Sequence, residues 1–262
     1  MPYSFAHIGY AIGLKKKWIS KLSLNGLIFG SIAPDFDILF RFTNQRFHLF
    51  FPNLTTIILI LMPLTIGLSV IFHRFTRNTI IENLPQNLSQ RLKSNLDFNY
   101  IKWLRRNYKI ESASIVIAII LHFLLDYFFH WNAYYYMKII HIGIYPNHSL
   151  INFHYYFGWY FPMVVSTLIG FVLLYKLLGG KEMITTKLIE EIVLIKLTKK
   201  LFWLSLIIIA ILFSFAKLYF FKYEGNGYAW HSVIIYITSG LVFSFFATPI
   251  LYQLIKKLSS TS

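Results

Sequence analysis

The chain has 262 residues, of which 56% are hydrophobic, 19% aromatic and only 13% charged. Soluble domains average about 45–50% apolar and about 25% charged residues, so this composition predicts a membrane protein with little soluble mass. Cysteine is absent, which excludes disulfides, thiolate zinc sites and cysteine nucleophiles, while the net charge of +15 takes its meaning from where the charges lie.

The opening stretch, "MPYSFAHIGYAIGL", is apolar but too short to span a bilayer alone. It lacks a basic leader and a small-residue cleavage site, so it does not read as a signal peptide. Six segments then follow that are long and apolar enough to cross or nearly cross, since a span needs about 17–25 residues. They are 23–40, 54–73, 112–131, 158–178, 201–221 and 231–254. The expected fold class is therefore all-α, a polytopic integral membrane helical bundle of about six transmembrane helices plus a short N-terminal hairpin helix. No internal repeat, strand alternation or Gly-rich phosphate loop interrupts it, and a single domain over 1–262 is the economical reading.

Between the segments the basic residues alternate. "KKKWISK", the 74–111 connection, 176–200 and the C-terminus hold twenty Lys and Arg, against five on the intervening side. Such a bias puts the basic connections in the cytoplasm and 41–53, 132–157 and 222–230 outside. The charge thus reports topology, an inner-membrane location and contact with anionic lipid, not a nucleic-acid groove. The 74–111 connection, with "TIIENLPQNLSQRLKSNLDF", reads as amphipathic helices on the cytoplasmic membrane surface.

The acids are distributed unevenly. Three of four aspartates, Asp35, Asp37 and Asp126, lie inside apolar segments, whereas the six glutamates fall in connections or at helix starts. A carboxylate at bilayer depth costs about 2.5–3.5 kcal/mol on insertion scales, which makes such residues functional candidates. Topology puts all three near the outer face. Histidines converge on that level. "LHFLLDYFFH" spaces His122, Asp126 and His130 at i, i+4 and i+8, stacked on one helix face. His48 follows Asp35 and Asp37 in the short outer connection. If 3–14 and 23–37 form a hairpin around "KKKWISK", His7 returns to the depth of Asp35.

His7, Asp35, Asp37, His48, His122, Asp126 and His130 form the expected metal-binding set. Imidazoles and carboxylates without sulfur suit a divalent Zn, Mn or Fe ion. The ion's charge would compensate carboxylates that the bilayer otherwise penalises. Plainer readings exist for each: Asp35 and Asp37 could cap a turn after Pro34, His122 could be a hydrogen-bonded core histidine, and His48 an interfacial one. His73, beside Arg74 and Arg77, reads as headgroup-facing, and His154 as a reserve ligand. The aromatic runs "WNAYYYMK" and "FHYYFGWYF" read as an interfacial belt or as the lining of a lipid headgroup pocket.

"MPYSFAHIGYAI", "GSIAPDFDILF", "PLTIGLSVIFHRF", "NLPQNLSQRL" and "LHFLLDYFFHW" occur in that order over roughly residues 1–180. In these stretches the chain resembles a bacterial membrane family, domain of unknown function 4184. It is also distantly similar to membrane-bound metal-dependent hydrolases, which share an N-terminal His, a P-D-x-D turn and an HxxxD helix. That second resemblance implies hydrolysis. On this reading His7, Asp35, His122 and Asp126 are the first ligands, Asp37 activates water, and His130 is a ligand or proton carrier. The substrate is a membrane lipid or lipid-linked molecule, because the site opens at headgroup level. A noncatalytic carrier, or an assembly factor using the same cluster to hold helices together, stays open beside it.

Overall fold

The computed structural model describes residues 7–9, 11, 21–36, 53–92, 96–139, 164–165, 167–170, 172–173, 191–220 and 229–259; the side chains of 128–139, 191–197, 220, 229–232, 234–235 and 259 are excepted. Regular structure in these residues is entirely helical, with no strand among them. The first complete helix, α1, is Leu24–Ile32, capped by Ser23, whose side chain accepts from the Gly26 amide. Pro34 has no amide hydrogen to continue the ladder, and the chain tightens into a 3-10 turn over Ala33–Phe36. The segment expected to cross at 23–40 is therefore a short helix and a turn as far as it is described.

Helix α2 runs from Leu54 to Asn83. It contains two π turns, Ile57–Leu61 and Phe72–Thr76, in which the Met62 and Arg77 amides reach back five residues to the carbonyls of Ile57 and Phe72. The first ends two residues before Pro63, whose ring would collide with a carbonyl four residues back in a regular helix. Helix α3 is Gln86–Leu92 and α4 is Tyr100–Ile139, with non-helical dihedrals at Asn107. Helix α5 is Glu191–Phe220 and α6 is Ala229–Ser259.

Among the described residues, four stretches are long and apolar enough to cross a membrane: Leu54–Asn83, Tyr100–Tyr127, Thr198–Tyr219 and Tyr236–Leu258. Apolar side chains such as Leu59, Leu124, Leu212 and Phe215 stand on their exposed faces. A helix that is apolar on its outward face is at home in lipid. The expected segment 158–178 lies mostly outside the described residues. The surface connection expected at 74–111 is helical at both of its ends. α2 continues through Asn83 and α4 begins at Tyr100, because positive side chains can extend from a helix end toward water without interrupting the backbone.

Small residues set the central packing. Gly26 and Gly30 of α1 lie one turn apart and face α4. A Cβ on Gly26 would stand 2.9 Å from Ser114 Cβ, and one on Gly30 would stand 2.8 Å from the Ile115 carbonyl and 3.0 Å from Ala118 Cβ. The two helices therefore approach at near-backbone distance, the small-xxx-small packing common between membrane helices. Ala33, Phe36, Ile57, Leu61, Ile115 and Ile119 close an apolar core beside this seam.

The second packed pair is α5 and α6. Ser214 Oγ donates to the Ala210 and Tyr236 carbonyls, and Phe213 stacks on Phe243 at 4.3 Å. This pair finishes the end of α2. Trp203 Nε1 donates to the Asn83 carbonyl and Lys199 Nζ to that of Leu84, both of which a helix end otherwise leaves without intrahelical donors.

Candidate metal centre

The site grows out of the α1–α4 seam. Close approach at Gly30 brings the next residue's carbonyl against α4, and His122 Nδ1 donates to the Ser31 carbonyl at 2.7 Å. That bond fixes the tautomer, so Nε2 keeps its lone pair and faces the other way. It faces carboxylates: His122 Nε2 is 3.8 Å from Asp35 Oδ1 and 3.7 Å from Asp126 Oδ2. Asp35 is delivered by the 3-10 turn after Pro34 and Asp126 by the next turn of α4.

His7 enters from the N-terminal segment. Its Nε2 lies 3.4 Å from Asp126 Oδ1, and its ring sits 4.0 Å from that of His122 at 36°. The neighbouring Gly9 explains the placement. A Cβ on Gly170 would stand 2.6 Å from Gly9 Cα, so these two backbones meet where neither has a side chain. Both imidazoles are 2% exposed, while Asp126 keeps 19% of its side chain accessible and so forms the open edge.

The spacing has a chemical meaning. Separations of 3.7 and 3.8 Å exceed hydrogen-bond length. Ligands at about 2.1 Å from one tetrahedral ion lie about 3.4 Å from each other, close to the observed separations. Ligand atoms of His7, His122 and Asp126 all fall within 4.8 Å of one another, so this buried group could hold a metal ion. Asp35 adjoins it through His122. Among the described residues, neither ring nitrogen of His7 nor Asp35 Oδ2 has a hydrogen-bond partner. Buried polar atoms left in that state are costly, and a cation between the carboxylates and imidazoles would remove the deficit.

Of the seven residues expected from sequence, the structure brings His7, Asp35, His122 and Asp126 together. Asp37 and His48 lie outside the described residues, as does the side chain of His130. Two other residues gain a structural context. Glu111, four residues past the break at Asn107 that divides α4, is fully buried. His73 is bonded to Asn25 and Arg77 and stacked on Tyr100 at 4.5 Å, so it is not a headgroup-facing side chain. Spacing could have found both. Ser69, His73 and Arg77 recur every four residues on α2, and Glu111 lies three before Ser114 of the seam.

Comparison with curated proteins and with solved structures finds no match. The helices that build the centre all lie within residues 1–252, which match the family described as Domain of unknown function (DUF4184), and the chain belongs to that family.

Proposed function

We propose that this chain is an integral protein of the inner membrane that holds a divalent ion in the His–Asp cluster and hydrolyses a lipid or lipid-linked substrate at the outer headgroup level. The observation that carries the reading is the lone pair of His122 Nε2, freed by the Ser31 carbonyl and flanked by Asp35 and Asp126 at 3.8 and 3.7 Å. A buried imidazole oriented by a backbone carbonyl and directed at carboxylates is the usual preparation of a metal-ligating histidine. The nitrogen and oxygen donors suit Zn, Mn or Fe.

His7, His122 and Asp126 would hold the ion, with Asp35 as the further oxygen donor. Bound there, the ion supplies Lewis acidity toward a phosphoryl or acyl oxygen. The chain's own residues do the rest. Asp126 presents the accessible edge, the two buried imidazoles keep water from the inner side, and the His122–Ser31 bond holds the ligand ring at a fixed angle. Asp37 is the candidate acceptor for a proton from the attacking water. His130, one helical turn beyond Asp126, is the candidate to ligate or to carry that proton onward, and His48 is an additional candidate ligand.

A second reading, an ion-coupled carrier, draws on a separate buried polar group at the basic end of the same helices (Asn25, His73, Tyr100 and Glu111). Carriers need polar residues at more than one depth. One experiment separates the two. Elemental analysis of the purified protein should find metal that Asp126→Ala lacks. Incubation with a bacterial lipid extract, with and without chelator, should then give metal-dependent products by mass spectrometry. Metallated protein that changes no lipid overturns hydrolysis and favours the carrier. Protein that binds no divalent metal overturns both the centre and its chemistry.

A further inference from the structure

Eleven residues before His122 on α4, or about 16 Å along the axis at 1.5 Å per residue, lies a second polar centre. Glu111 is its anchor and is 0% exposed. Its Oε1 accepts from Asn25 Nδ2 at 2.6 Å and from Tyr100 Oη at 2.8 Å. Asn25 Nδ2 also donates to Ser69 Oγ at 3.0 Å. The Asn25 amide oxygen accepts from His73 Nε2 at 2.9 Å, and His73 Nδ1 accepts in turn from Arg77 at 3.2 Å. Arg77 ends the chain on the Phe98 and Leu96 carbonyls at 2.8 and 2.9 Å.

Two features separate this network from an ordinary interhelical clamp. One carboxylate oxygen, Glu111 Oε2, is buried and has no hydrogen-bond partner among the described residues. It lies over Gly26, where a Cβ would come within 3.2 Å of it. Every other polar atom around it is used: Oε1 has two donors, and both His73 nitrogens are engaged. The network also runs toward the basic end, from fully buried Glu111 through half-buried Asn25 and His73 to Arg77, which is again buried and is tied to the Phe98 and Leu96 carbonyls. An ionised oxygen without a donor inside a span is expensive, and such residues in membrane helices characteristically bind ions or protons.

We infer that this centre is a proton-binding site, in which Glu111 Oε2 takes up a proton from water at the basic end of the helices. One O–H bond forms at Oε2 and no covalent bond in the protein breaks. The donors on Oε1 remain in place, because the carbonyl oxygen of a neutral carboxyl still accepts from Asn25 and Tyr100. The centre passes from a Glu–Arg pair of balanced charge to a net positive one, and proton release reverses it. Facing groups are His73 and Arg77 from α2, Tyr100 from α4 and the neutral Asn25 from α1. From α6 the described contact at this end is Gln253, on the Phe75 carbonyl and Thr79. Lys199 of α5 is committed to the Leu84 carbonyl. The site is independent of the metal centre and shares with it only the rigid α1–α4 seam.

The test is infrared spectroscopy of the full chain reconstituted in phosphatidylethanolamine–phosphatidylglycerol vesicles, titrated in pH. Wild type should show a protonated-carboxyl carbonyl band that grows as pH falls. Glu111→Gln should lose that component and leave the rest of the spectrum unchanged in its response to pH, since Gln retains the oxygen that accepts from Asn25 and Tyr100. Tyr100→Phe, which leaves the carboxyl in place, should shift both the frequency of the Glu111 band and the pH of its midpoint. Identical spectra of wild type and Glu111→Gln at every pH would overturn the inference. So would a Glu111 band that never changes with pH, which is what a purely structural hydrogen-bond clamp predicts. If Glu111→Gln fails to fold, Tyr100→Phe decides alone, and an unmoved band and midpoint would overturn the proposal.

Discussion

The α1–α4 pair and the α5–α6 pair are both close-packed helix pairs with small residues at the seam, yet they carry different cargo. Gly26 and Gly30 lie against Ser114, Ile115 and Ala118 in the first, and Gly240 lies against Ala210 and Ser214 in the second. The first seam is bracketed by carboxylates and imidazoles that reach across between helices. The second is joined by hydroxyls that mostly bond within their own helix: Ser239 to Tyr236, Ser244 to Leu241 and Ser214 to Ala210. A hydroxyl that can return to its own backbone is cheap to bury in lipid. A carboxylate has no such option. Close packing is therefore common to both pairs; the second also buries one ionisable group, Lys217 of α5, whose Nζ lies 5.3 Å from the Phe213 ring centroid, whereas the first gathers carboxylates and imidazoles into clusters.

The comparison breaks most severely at Asp126. Outer-shell partners of metal ligands are already worth about 10–100-fold in affinity, so Asp126→Ala should lower metal retention by on the order of 100-fold or more, read by elemental analysis after dialysis. Unchanged metal content would place the ion elsewhere, or nowhere. Gly30→Val comes next. Its new Cβ meets the Ile115 carbonyl and Ala118, and overpacking of this kind costs about 1–3 kcal/mol. It should also lower metal retention, because pushing α1 outward withdraws the Ser31 carbonyl from His122. Stability that falls with metal content intact would show that the seam does not position the ligand.

Ser214→Ala sharpens the other side. Its Oγ reaches the Tyr236 carbonyl across the helices at 3.1 Å, and such bonds average about 0.6 kcal/mol in membrane proteins. Thermal unfolding in detergent should register a loss of about that size, with metal content unaltered. Phe215→Ala should matter least. This side chain is 65% exposed on α5, and substitutions away from packed features usually stay within about 0.5 kcal/mol. A large loss there would mean that the face is covered by another protein chain and not by lipid.

Much of the candidate metal centre was legible because bilayer chemistry penalises misplaced charge. His122 and Asp126 stand out by four-residue spacing, and Asp35 by lying in an apolar run. His7 required the hairpin argument, and the Gly9–Gly170 contact supplies a physical reason for its position. What sequence left hidden has two causes. Hydropathy reads Lys102, Arg105, Arg106 and Lys109 as the end of a connection, whereas the backbone there is helical on both sides of a break at Asn107. Glu111 stands four residues past that break, and what hydropathy misses is its full burial. Its burial depends on Gly26 of a distant helix providing room for the carboxyl group, a pairwise fact that no local window contains.

The π turn at Phe72–Thr76 makes α2 a helix whose geometry depends on residue count. At about 100° per residue, four-residue steps in a regular α-helix drift by about 40° each, so Thr65, Ser69, His73 and Arg77 would fan around the cylinder. The wider turn unwinds part of that drift and keeps the last two in line with Ser69. The turn thus acts as a phase corrector. Removing one residue from it would leave a continuous, equally apolar helix of better hydrogen-bond regularity. Yet Arg77 and everything after it would swing by about 100° away from His73, and the polar chain would be cut without the loss of any of its members.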